Sequence, residues 1–148
     1  MRYVSRNPMN DRDIYLKGGT PLKASIEESK QFIFRNMLIE NRDLEIVDVL
    51  WSYFYAVAAR WPVAWASLQR GDMLSKTNGF CALMRFLGPA YLSIVRRIGQ
   101  VPTGDQFAKL FEGIQMTDED FNIEQYVPGT SGEAALFKAF KEKSGLSS

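Results

Sequence analysis

Apolar positions recur along the chain at three- and four-residue spacing, broken by short polar stretches, and this rhythm predicts helices nearly throughout. Ser25-Ile-Glu-Glu28 forms a capping box: the Ser25 hydroxyl takes the third amide and Glu28 reaches back to the cap amide. Ile26, Phe32, Ile33, Met37 and Leu38 then supply the apolar positions of a first helix ending near Glu40. Asn41–Asp43 breaks it, and Asp43 is placed to cap a second helix. In that helix Leu44, Val47, Leu50, Trp51, Phe54, Val57, Ala58 and Trp61 follow helical spacing closely. The spacing puts Trp51, Phe54 and Trp61 on the core side and Tyr53 toward the other face. Trp61-Pro62 ends or kinks the helix, because proline has no N–H to donate. Pro62 is suited to open a short helix through Leu68.

Gly71-Asp72 marks a loop, and a central helix follows from Thr77 or Asn78 to Leu87. Gly88-Pro89 punctuates it, and a further helix covers Ala90–Ile98. Thr103-Gly-Asp-Gln106 is a second capping box, opening a helix that reaches Phe111–Ile114. Asp118–Asp120 suits one short turn. Thr130-Ser-Gly-Glu133 reads as a third capping box, with Thr130 as the cap of a last helix to Lys143. Residues 1–24 are polar and turn-rich, with Asn7-Pro8, Gly18-Gly19 and Thr20-Pro21. They read as an extended arm carrying one short strand around Asp13–Leu16. The expectation is an all-α, compact bundle of about six or seven helices. It has an N-terminal arm (1–24), a helical domain (25–143) and a frayed tail (144–148).

Composition narrows the class. The chain has 148 residues, 46% hydrophobic and 13% aromatic, enough for one domain with a core built on Phe and Trp. The net charge of +1 gives no global attraction to polyanions, but its distribution is uneven. Arg60, Arg70, Lys76, Arg85, Arg96 and Arg97 face a single carboxylate, Asp72, between positions 60 and 97. Asp105, Glu112, Asp118, Glu119, Asp120, Glu124 and Glu133 face a single cation, Lys109, between 103 and 133. Such segments either pair with each other or present faces of opposite sign. The single cysteine, Cys81, excludes an intrachain disulfide and reads as a buried thiol. No segment is long and apolar enough for a transmembrane span, and the first residues lack an apolar signal region. The expected location is cytoplasmic.

With no histidine, Ser-His and Cys-His nucleophiles and His-based zinc sites are excluded, and one cysteine cannot make a thiolate zinc site. Asp118, Glu119 and Asp120 lack the alternating ligands and glycine of a calcium loop. The expectation is a protein that is not an enzyme and uses no cofactor. The chemistry that remains is anion binding. Lys76, Thr77, Asn78 and Gly79 open the central helix, where free amides, the helix dipole and the Lys76 charge suit a phosphate; plain capping by Thr77 or Asn78 is the alternative. Thr130 and Ser131 offer the same choice at the last helix. Arg85 either pairs with a carboxylate of the acidic segment or extends a basic face with Arg60, Arg96 and Arg97. The aromatic residues from Trp51 to Trp65 read as core, with stacking on exposed bases as the alternative.

Three stretches carry a family resemblance. These are the aromatic run Trp51–Trp65 (WSYFYAVAARWPVAW), the run Leu74–Leu87 (LSKTNGFCALMRFL) and the turn and helix Val127–Phe140 (VPGTSGEAALFKAF). In this order they resemble the C-terminal helical part of DGQHR-domain proteins, a group that includes DndB-like proteins linked to bacterial DNA phosphorothioation. The Asp-Gly-Gln-His-Arg motif that names the family is absent. The resemblance implies a helical module from a DNA-modification or defence setting. Its phosphate- or partner-binding residues would be Lys76, Thr77, Asn78, Arg85, Arg96, Arg97, Thr130 and Ser131. The expected partner is DNA or a DNA-bound protein. A protein–protein or self-association module is the alternative, suggested by Phe32, Ile33, Phe34, Met37, Leu38 and Ile39, which occupy more than one helix face. A third reading has the two glycine-containing helix starts handle a nucleotide.

Overall fold

The computed structural model describes residues 2–67 and 71–146. Among them the chain forms eight α-helices and one 3-10 turn: α1 (Pro8–Leu16), α2 (Ile26–Ser29), α3 (Arg35–Ile39), α4 (Asp43–Arg60), α5 (Pro62–Ala66), α6 (Thr77–Ile94), α7 (Gly104–Glu112), the turn Asp118–Asp120 and α8 (Thr130–Ser144). The all-α expectation holds, with more helices than the spacing suggested. The only strand-like pairing among the described residues is an isolated bridge between Asp72 and Asn122. Leu68 and Arg70 lie outside the described residues, as do the last two positions of the tail. No helix among the described residues is long and apolar enough to cross a membrane.

The core is a network of rings. α4 packs along α7, and α6 along α8. Trp61, buried at the end of α4, lies 5.6 Å from Phe111 on α7, 5.0 Å from Phe121 and 5.8 Å from Phe140 on α8. Its indole N–H donates to the Met116 carbonyl at 2.8 Å, so the polar edge of the ring is satisfied where it is buried. Tyr53 lies against Phe107 and Phe111 and donates its hydroxyl to the Leu83 carbonyl of α6 at 2.6 Å. One side chain of α4 thus joins α6 and α7. Burial pushes the Tyr53 phenol well above its ordinary pKa.

Local signals set several boundaries as expected. Pro62 terminates α4 and opens α5. Thr103 and Gln106 form a complete capping box on α7. Ser25 accepts the Glu28 amide at 3.2 Å and caps α2. α2 nevertheless stops after one turn, and the single helix expected to Glu40 is split. A turn over 30–34 aims Phe32, Ile33 and Phe34 inward together, and all three are buried with Met37. Four of the six apolar residues that suggested a partner are therefore turned inward, while Leu38 and Ile39 stay half-buried. Asp43 begins α4 without capping it; Arg42 holds the cap position.

Residues 2–24 are folded onto the bundle, in place of the extended arm. The strand expected at Asp13–Leu16 is the end of α1. Asn7 accepts the Asn10 amide at 3.1 Å and Pro8 occupies the first helical position, a start signal present in the sequence. α1 has no fully buried residue, so its apolar pattern is weak. It is held by Asp11, which pairs with Arg35 at 2.6 Å; Arg35 also donates to the Val4 and Leu22 carbonyls. The tail is likewise ordered through Leu146, whose amide closes the end of α8 on the Lys141 carbonyl at 3.1 Å.

Pro89 lies inside α6, where a break between two helices was expected. A proline there leaves the carbonyl four residues earlier, that of Arg85, without its helical donor. Tyr3 repairs the ladder. Its hydroxyl lies 2.9 Å from the Arg85 carbonyl, contacts the Met84 carbonyl and accepts the Gly88 amide at 3.0 Å. The approach is close: a Cβ at Gly88 would lie 3.0 Å from the Tyr3 ring. α6 therefore runs on to Ile94 and ends short of the expected Ile98.

Tyr3→Phe keeps the ring and deletes the hydroxyl, leaving buried backbone groups unpaired; we expect it to cost about 1–3 kcal/mol in urea unfolding. An unchanged unfolding midpoint would show that the hydroxyl does not support the helix. The Asp11 carboxyl is held below the usual aspartate range, chiefly by its hydrogen bonds from Arg35. Its contribution to stability is therefore complete above the ordinary aspartate value of about 3.9 and fades as pH falls through the lower folded value. The stability gap between wild type and Asp11→Asn should be constant from neutral pH to about pH 5 and shrink below about pH 4. A gap that persists to the acid limit of folding would contradict this pairing.

Candidate functional site

The starts of α6 and α8, read separately in the sequence, lie side by side. The Asn78 side-chain amide donates to the Val127 carbonyl at 3.3 Å. Asn78 thus ties one helix start to the loop before the other. Neither start is capped by a side chain: Lys76 holds the cap position of α6 and Gly129, at φ 113°, that of α8. Thr130 is the first helical residue of α8, so the third capping box does not form. Both starts are closely covered by the preceding chain. A Cβ at Gly79 would lie 2.1 Å from the Leu74 carbonyl oxygen, and one at Gly132 1.7 Å from that of Val127. These glycines let a loop lie directly on the first turn. The loop carbonyls bring partial negative charge beside the amides where a phosphate was expected. Thr77, Thr130 and Ser131 are exposed around this junction, as is Lys76.

The cations divide by role. Arg60 donates to the carbonyls of Phe111, Ile114 and Met116 at 2.9–3.1 Å and lies over the Trp61 ring, fixing the chain at the end of α7. Arg85 is half-buried, 3.7 Å from Glu133, with its guanidinium 4.5 Å from the centre of the Phe137 ring. It also lines a hollow of about 490 Å³ together with Arg2, Lys30 and Lys141. Among the described residues no carboxylate lines that hollow. Arg96 and Arg97 follow α6 and are exposed. The 18 residues of α6 span about 27 Å at a rise of 1.5 Å per residue, so Lys76 and Arg96 sit at opposite ends. The residues singled out in sequence therefore form three places: the helix-start junction, the hollow at Arg85 and the turn at Arg96 and Arg97. Arg2, Lys30 and Lys141 had no local signal, since only folding brings positions so distant together.

The acidic segment serves the fold both across the chain and within its own turn. Asp118 accepts the Ala64 amide at 2.7 Å at the start of α5, and Asp120 accepts the Thr117 amide at 2.7 Å. Glu133 is the one carboxylate of this segment that pairs with the basic segment among the described residues. The perturbed titrating groups also have structural causes. Arginine or lysine hydrogen bonds lower Asp11, Glu40 and Glu45, and burial raises Tyr3, Tyr53, Tyr91 and Tyr126.

The largest departure is the facing of α4. Tyr53, expected outside, is buried with Val49, Ala56 and Val57. Trp51, expected inside, is 74% exposed, and Tyr55 is 67% exposed. Leu44 and Val47 are exposed beside them. Phe54 is partly buried and stacks on Trp65 at 5.7 Å and on Phe80 at 5.5 Å. Val47, Leu50, Trp51, Phe54, Tyr55 and Trp65 line a shallow apolar hollow of about 400 Å³ in which no described lining residue is charged. α4 is apolar around most of its circumference, so helical spacing alone does not choose the buried side. Cys81, expected to be buried, is half-exposed.

Comparison with known proteins finds no matching family model, no matching curated protein and no matching solved structure.

Proposed function

We propose that this chain is a non-catalytic binding module that contacts DNA phosphates, in the DNA-modification or defence setting implied by its resemblance to DGQHR-domain proteins. One observation carries the reading: Arg2, Lys30, Arg85 and Lys141 line one hollow in which no described lining residue is a carboxylate. Glu27 pairs with Lys30 and Glu133 with Arg85 beside it, and Arg2 and Lys141 make no ion pair among the described residues. A phosphate backbone is the polyanion that such a cluster suits, and its binding is driven by release of counterions. Arg85 is positioned by Glu133 and Phe137; Arg2 and Lys30 are exposed and reach the solvent side of the hollow. Arg96 and Arg97 would add contacts further along α6.

The test is fluorescence anisotropy of a labelled duplex and of its single strand. If about four phosphates are contacted, raising salt from 50 to 200 mM should weaken duplex binding roughly hundredfold. Arg2→Ala/Lys141→Ala should reduce the steepness of that salt dependence by about two contacts. Absent binding at low salt, or binding indifferent to salt, would sink the reading.

The exposure of Trp51 and Tyr55 favours a second reading, self-association through α4. An uncharged apolar hollow can face its own copy across a two-fold axis without opposing like charges. Sedimentation velocity at tens of micromolar should then show a dimer that Trp51→Ala/Tyr55→Ala converts to monomer. A wild-type monomer at that concentration would remove this reading.

A further inference from the structure

A hollow of about 630 Å³ lies between the α2–α3 segment and the end of α6. Its volume is within the range of small-ligand sites, roughly 300–1,000 Å³. The floor is apolar: Ile33 and Met37 from the first segment face Leu92, Val95 and Ile98 from the second. Most polar groups on its wall are already engaged within the fold. Asn36 exchanges two hydrogen bonds with the Ala24 backbone, at 2.7 and 3.3 Å. Glu40 is held by Lys23 at 3.1 Å and Arg42 at 3.3 Å. Arg42 is further bound to Glu45 and to the Gly99 carbonyl, both at 2.6 Å. Lys30 pairs with Glu27 at 3.1 Å.

Arg96 and Arg97 differ. Both line the hollow, and among the described residues neither side chain makes an ion pair or hydrogen bond. Their backbone is fixed all the same. The Gln100 side chain accepts the Arg96 amide at 3.0 Å and the Arg97 amide at 3.2 Å. Tyr91, from within α6, donates to the Gln100 carbonyl at 2.7 Å and accepts the Gly99 amide at 2.9 Å. Two adjacent, uncompensated guanidinium groups are therefore presented by a braced turn at the edge of an apolar floor.

From this we infer a small-molecule site for an amphipathic acid. An aliphatic or aromatic body would lie on the half-buried Leu92, Val95 and Ile98, and a carboxylate or phosphate would pair with Arg96 and Arg97. Charge and shape act together. The floor supplies non-directional burial, and the arginines select an anion at one end, where guanidinium matches a planar carboxylate or a phosphate with paired hydrogen bonds. The inference shares Lys30, Arg96 and Arg97 with the DNA reading, but Arg2, Arg85 and Lys141 line only the other hollow, so the two are tested apart.

The experiment is calorimetric titration of the full chain with decanoate below its micellar range, beside decanol and acetate. Decanoate should bind at least tenfold more tightly than either. Arg96→Ala/Arg97→Ala should weaken decanoate at least tenfold and leave decanol unchanged, while Arg2→Ala/Lys141→Ala should leave decanoate binding intact. Equal affinity for decanol would overturn the role of the arginines, and equal affinity for acetate the role of the floor. Absence of decanoate binding would overturn the site. Phosphatidylglycerol vesicles separate a free acid from a lipid headgroup. Co-sedimentation with vesicles that depends on Arg96 and Arg97, without decanoate binding, would assign the turn to a membrane surface and overturn the small-molecule reading.

Discussion

A single tyrosine hydroxyl holds the ends of this chain's logic together. Pro89 would ordinarily divide α6, because the Arg85 carbonyl would be left without a donor in a buried place. The Tyr3 hydroxyl sits at that gap, beside the Met84 and Arg85 carbonyls, and takes the Gly88 amide. One polar atom from the third residue thus restores the ladder of a helix that begins at Thr77. The consequence is architectural. Because α6 continues past Pro89, Tyr91 and Leu92 are carried to the far end of the bundle, where they brace the Arg96–Arg97 turn and floor its hollow. The same contact anchors the N-terminal segment, which Asp11 and Arg35 then fix from the other side.

Around this helix the core is satisfied as well as filled. Trp61 and Tyr53 are large rings whose polar atoms reach carbonyls on neighbouring elements, so their burial costs no orphaned donor. Arg60 does the same for three carbonyls, one in the last turn of α7 and two after it. Among the described residues no buried side-chain nitrogen or oxygen lacks a partner. Long-range hydrogen bonds from side chains to backbone, in addition to ring packing, fix how α4, α6 and α7 meet.

The surface shows a division of labour that a linear map of charge conceals. Among the described residues, Arg85 and Glu133 form an ion pair between the basic and the acidic segment. Most of the other described cations are sorted by the fold into structural donors, such as Arg60, and solvent-facing groups, such as Arg96 and Arg97. The hollow at Arg85 recruits Arg2, Lys30 and Lys141 from three separate stretches of the chain. Phe80, Phe54 and Trp65 stack as one set beneath the exposed face of α4, joining the first aromatic run to the start of the central helix.

The sequence by itself determined what depends on neighbours three or four residues away. The caps at Ser25 and at Thr103 with Gln106, the stop at Trp61-Pro62 and the turn at Asp118–Asp120 are closed within one helical turn, so local chemistry suffices. The start of α1 belongs to this class too, since Asn7-Pro8 is a cap and first-turn signal that the polar surroundings obscured. Tertiary structure alone decided the continuity of α6, the splitting of the first helix and the side of α4 that is buried. In each case local preference is balanced or unfavourable, and a distant partner breaks the tie: Tyr3 for Pro89, the core for Phe32 to Phe34, and Phe107, Phe111 and the Leu83 carbonyl for Tyr53. The candidate sites follow the same rule. Arg85, Arg96 and Arg97 were legible as charges, but the surfaces they serve are built from residues that only folding brings beside them.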